Sequence, residues 1–91
     1  VLPPLILSRD INDCGFSTRV LNALKSYDVY TVGDLVRNLR GRSELMKLRN
    51  LGRKSVWTIL DFVEENNLDF KEDGEPDEDF YTRLNNRLSV K

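Results

Sequence analysis

The chain has 91 residues, 40% of them hydrophobic and 32% charged, which is enough for one small globular domain with a modest core. With no histidine and a single cysteine, Cys14, it lacks the parts of a Ser-His-Asp triad, a Cys-His pair, a histidine metal site or an internal disulfide. No apolar run approaches the ~20 residues of a membrane span, so the inventory points away from catalysis and from a membrane, and no metal or cofactor is expected.

The net charge of −1 conceals a polarised sequence. Residues 37–54 hold seven cations against one anion, a net +6. Residues 69–79 hold seven anions against one cation, a net −6, and residues 80–91 hold three cations and no acid. The local basic stretch is the feature relevant to a polyanion.

Val1 to Leu7 contains Pro3-Pro4 and reads as an extended lead-in. The sequence lacks an initiator Met, which fits a piece of a longer protein. Asp10, Asn12, Asp13 and Gly15 favour turns. Ser17 can cap a first helix from Thr18 to about Ser26, with Leu21 and Leu24 facing inward. Tyr27-Asp28 breaks that helix, and Thr31 can cap a second, shorter one through Asp34, Leu35 and Val36. Gly41 ends the unit, and Ser43 can cap a third short helix with Glu44, Leu45 and Met46. An Asn50-Leu51-Gly52 hairpin leads to the longest helix, from about Arg53 to Asn66. Its apolar residues Val56, Ile59, Leu60 and Val63 repeat at helical spacing.

The acidic stretch 69–79 reads as solvated. Beyond Pro76, Asp77 can cap a last short helix with Phe80, Leu84 and Leu88 on one stripe, which is expected to fold back over Trp57. The expected fold is all-α: a compact bundle of four to five short helices forming two helix-hairpin-helix units, with an acidic tail and an extra C-terminal helix. The lead-in would span 1–7, the main domain 8–70 and the tail 71–91. A loose internal echo, Val32-Gly33 against Leu51-Gly52, fits one unit used twice.

The run Leu48 to Ser55 carries the strongest functional signal. Gly52 lies where a loop becomes a helix, and glycine lets a backbone approach another molecule closely. The first helical turn leaves amide N–H groups unpaired and carries partial positive charge. With Arg53 and Lys54 beside them, these amides suit an anion, phosphate above all. The same string also fits a helix start that is merely basic. The cluster Arg37, Arg40 and Arg42 is most simply a solvated face, although its sign suits further phosphates.

Ser17 to Lys25, Val32 to Val36 and Leu48 to Ser55 together resemble the C-terminal domain of the bacterial RNA polymerase α subunit, over roughly residues 5–70. The resemblance implies a domain that binds double-stranded, A+T-rich upstream promoter DNA in the minor groove. It implies Arg19 in the groove with Asn22 supporting it, and Asn50, Gly52, Lys54 and Ser55 against phosphate and sugar. It further implies partners among RNA polymerase subunits, the promoter-specificity σ factor and activators, and a location in the bacterial cytoplasm at the nucleoid. The parent protein would be a subunit of a nucleotidyltransferase to which this domain lends no catalytic group. Of the acidic residues that meet σ in the family, Asp13 keeps its character and Gly15 does not.

The sequence departs from the family elsewhere. Two extra residues lie between Gly33 and Gly52, Thr58 stands where members often have Glu, Trp57 is unusual on its helix, and the tail after Phe70 has no counterpart. The physical reading agrees with the implied one. A narrow A-tract groove has enhanced negative potential that an inserted Arg reads, and Arg19 and Asn22, three apart, share one helix face. Two rivals remain: a helix-hairpin-helix domain of a repair or recombination protein that grips any duplex through phosphates, and a protein-interaction domain whose basic face meets an acidic partner.

Overall fold

The computed structural model describes residues 2–39, 42–48 and 51–89. They form five α-helices: α1 (Thr18–Lys25), α2 (Val32–Asn38), α3 (Arg42–Met46), α4 (Arg53–Glu65) and α5 (Asp77–Ser89), preceded by two 3-10 turns at Leu5–Ser8 and Ile11–Asp13. The one extended pairing among the described residues is a bridge between Asp10 and Thr31. Helices α1 and α2, then α3 and α4, follow one another as consecutive pairs in an all-α bundle.

Helices α1 and α2 start where side groups satisfy their first amides. Ser17 is extended, and its hydroxyl accepts the Val20 N–H at the head of α1. Thr31 and Asp34 form a reciprocal capping box on α2: the Thr31 hydroxyl accepts the Asp34 N–H, and the Asp34 carboxylate accepts the Thr31 N–H. Between them the backbone reverses through Asp28, at φ 60°, and the Val29 N–H returns to the Leu24 carbonyl. At the far end of α4, Asn67 takes φ 58° and the Leu68 N–H bonds back to Val63, a left-handed C-terminal stop.

The lead-in is not extended. The Leu7 N–H reaches the Pro4 carbonyl and the Ser8 hydroxyl reaches that of Leu5, closing a 3-10 turn that buries Leu7. This turn lies directly on α2 at Gly33, where an added Cβ would stand 2.9 Å from the Leu7 carbonyl oxygen. Two further bonds, Ile11 N–H to Tyr30 and Val32 N–H to Arg9, lace the N-terminal segment to the α1–α2 corner.

The core runs through every element. It holds Leu7, Ile11, Val20, Leu24, Leu35, Val36, Leu45, Val56, Ile59 and Val63, and it continues into α5 through Phe80 and Leu84, both fully buried. Leu60, expected on the inner stripe of α4, is only half-buried. The segment 69–79 is not a free acidic tail. Asp69 and Glu75 both pair with Arg83, and Asp77 pairs with Lys71 at 2.6 Å. The Lys71 N–H bonds to the Val36 carbonyl, and Gly74 makes the turn at φ 75°.

The stripe of α5 therefore packs on the main core rather than over Trp57, which stays 49% exposed. The polar contacts of α5 go to Arg37, Leu2, Asn67 and the 69–75 segment among the described residues. Contact with a whole apolar core buries more area for Phe80 and Leu84 than one indole offers.

Candidate nucleic-acid interface

Helix α1 buries Val20, Ala23 and Leu24, which turns its opposite face outward. Arg19 and Asn22 stand exposed on that face, one turn apart. No hydrogen bond or ion pair occupies either side group among the described residues.

Helix α4 begins differently from α1 and α2. Its N-cap is Gly52, extended at φ −77° and ψ 169°, with no side group to cap the first turn. The first intrahelical bond is Val56 N–H to the Gly52 carbonyl, so the amides of Arg53, Lys54 and Ser55 find no acceptor among the described residues. Arg53 and Lys54 are exposed, Ser55 is half-buried, and the Thr58 hydroxyl donates to the Lys54 carbonyl at 3.0 Å. A Cβ at Gly52 would meet nothing within 4 Å, and its φ suits any residue, so the fold does not require glycine there.

The two groups sit on separate elements, and no hydrogen bond or ion pair joins them among the described residues. The sequence placed a further contact at Asn50, which lies outside the described residues, as do Arg40, Gly41 and Arg49. Asp13 is exposed in the second 3-10 turn, and Gly15 follows it at φ 81°. Their neighbour Cys14 is half-buried, and burial pushes its thiol above the usual range.

The charges separate into two classes. Arg37, Lys71 and Arg83 are spent inside the fold. Arg37 gives its Nε to the Gly33 carbonyl and an Nη to the Tyr81 hydroxyl at 2.8 Å, so it does not belong to a free phosphate-binding face with Arg40 and Arg42. By contrast Arg19, Arg53 and Lys54 have no carboxylate partner among the described residues. Hydrogen bonds from Arg83 and Lys71 hold the Glu75 and Asp77 carboxyls below their ordinary range. Asp69, Glu75 and Asp77 are thus paired with cations of the fold.

Among the described residues no cluster of acidic, cysteine or histidine groups could hold a metal. No helix there is long and apolar enough to cross a membrane. The family model for the C-terminal domain of the bacterial RNA polymerase alpha subunit matches residues 4–65. Relatives described as DNA-directed RNA polymerase subunit alpha include those of Salinibacter ruber, 37% identical over 70 residues and 77% of this protein, and Bacteroides fragilis, 41% identical over 68 residues and 75% of it. That of Syntrophomonas wolfei is 41% identical over 66 residues, or 72% of this protein. The matches cover 20–21% of each relative, so the matched part of this protein spans about a fifth of their length. The matched residues contain α1 to α4, the Arg19–Asn22 face and the bare N-terminus of α4, and the protein belongs to the family of C-terminal domains of the bacterial RNA polymerase alpha subunit.

Proposed function

We propose that this domain works in transcription as a non-catalytic module that grips upstream promoter DNA and docks partner proteins. In this reading Arg19 enters the minor groove of A+T-rich duplex with Asn22 beside it. Gly52, Lys54 and Ser55, together with Asn50, hold the flanking sugar-phosphate backbone. The parent protein would be an α subunit of RNA polymerase in the bacterial cytoplasm at the nucleoid, and σ factor and activators would meet the domain's other faces, σ at Asp13.

The observation that carries the reading is the exposed pair Arg19 and Asn22, held one turn apart on α1 and not consumed by the fold. A pure phosphate clamp has no use for a groove-reading arginine, whereas a narrow A-tract groove attracts one. The bare first turn of α4 supplies amides and two cations that position the domain without reading sequence. Titration of the protein into labelled A+T-rich and G+C-rich duplexes tests this. The reading expects tighter binding to the A+T-rich duplex. Equal affinity would favour a helix-hairpin-helix domain that grips any duplex, and no binding would favour a protein-only partner.

A further inference from the structure

Helix α4 changes character along its length. Its first turn carries Arg53 and Lys54, and its second half carries Asp61, Glu64 and Glu65, all exposed. A polyanion lying on this helix is therefore attracted at the start and repelled beyond the middle. Trp57 sits at the boundary. It is uncharged, 49% exposed and off the buried stripe of Val56, Ile59 and Val63.

A helical side group leans toward the N-terminus and covers the turn before its own Cα. From position 57 that turn is Arg53–Lys54, next to Gly52, whose missing Cβ leaves open space. The half-exposed indole offers a broad apolar face for a sugar.

We infer that Trp57 is a further DNA-contacting residue and forms the outer edge of the phosphate-binding turn, with its indole against the deoxyribose-phosphate backbone. This rests on the DNA-binding reading above. It extends that reading by one residue and marks where the interface ends, before Asp61. The contact adds affinity without sequence preference, because every nucleotide presents the same sugar and phosphate.

Trp57 is the only tryptophan of the protein, so its fluorescence reports on its own surroundings. The whole 91-residue protein is titrated with an A+T-rich duplex at low salt, with duplex anisotropy and tryptophan emission recorded together. The inference expects emission to shift to the blue and quench along the same isotherm as the anisotropy. Trp57→Ala should weaken A+T-rich and G+C-rich duplexes alike, by about 3- to 10-fold, and Trp57→Phe should restore part of the loss. A thermal melt of each variant confirms that it is folded. Binding without an emission change, and with unaltered affinity in folded Trp57→Ala, would overturn the role of Trp57 and leave the DNA reading standing. No binding of the wild-type protein to either duplex would overturn both.

Discussion

Arg83 holds Glu75 through two hydrogen bonds, Nε to Oε2 at 3.1 Å and Nη2 to Oε1 at 2.8 Å, and so ties the acidic segment to α5. The same guanidinium donates to the Phe70 carbonyl at 3.0 Å and lies 5.5 Å from the centre of the Phe80 ring. The helix it anchors places Phe80 and Leu84 in the core, beyond residue 65 where the family match ends. Here α5 is part of the folded unit. Leu84→Ala should cost about 2–5 kcal/mol, and truncation after Phe70 should cost more, because it exposes the core beside α2. Chemical denaturation checks both. A truncated protein with an unchanged midpoint would contradict the assignment of α5 to the core.

The same pair sets a dependence on pH. The Arg83 bonds hold the Glu75 carboxyl below its unfolded value, and the Lys71 bond does the same for Asp77. A carboxylate depressed in the folded state contributes stability above its unfolded pKa and loses it as pH falls through the folded value. Thermal stability should therefore drop as pH falls from about 5 toward 3. Glu75→Gln should melt lower at neutral pH and lose less on acidification. Parallel melting curves for the two proteins across that range would show that the Arg83–Glu75 pair is not the cause.

The two glycines of the internal echo should behave in opposite ways. A Cβ at Gly33 stands 2.9 Å from the Leu7 carbonyl oxygen, a backbone atom that cannot move aside cheaply. Gly33→Ala should destabilise the fold by about 1–3 kcal/mol despite alanine's better helix propensity. Gly52→Ala meets open space and an ordinary φ, so it should cost about 1 kcal/mol or less as a poorer N-cap. Its effect should fall on DNA affinity, where the Cβ obstructs the approaching backbone. Melting and binding measured on both variants check this, and a Gly52→Ala protein that melts early yet binds normally would reverse the assignment.

Lys54 should act as a point charge on phosphate. Lys54→Ala should weaken A+T-rich and G+C-rich duplexes by the same factor and flatten the plot of log K against log salt by about 0.9. Anisotropy at several salt concentrations measures the slope. An unchanged slope would remove Lys54 from the phosphate contacts.

What the sequence disclosed and what it concealed follow from range. The caps at Ser17 and Thr31, the break at Asp28 and the buried stripe of α4 depend on residues within about one turn of each other, and they read directly from the residue order. The 3-10 turn at Leu5–Ser8 does not, because it is held by contact with Gly33 far along the sequence. Arg37 looked like one of a basic run until its partners Tyr81 and the Gly33 carbonyl were known. The apolar stripe of α5 was visible, but its destination was not. Trp57 was one apolar surface that spacing could suggest, whereas the core that takes Phe80 and Leu84 is assembled from the whole protein. The exposed positions of Arg19, Asn22 and Lys54 follow from the helical period, because the buried residues of α1 and α4 fix the inner faces.

The most direct test of the groove-reading claim is the ratio of affinities for A+T-rich and G+C-rich duplexes, measured by anisotropy for the wild-type protein and for Arg19→Ala at one salt concentration. Arg19 is exposed and makes no polar contact among the described residues, so its removal should leave the melt unchanged. The account predicts a ratio above one in the wild type that falls to about one in Arg19→Ala, with weak binding to both duplexes retained through Lys54 and the α4 amides. A preference that survives in Arg19→Ala, or is absent from the wild type, would contradict it.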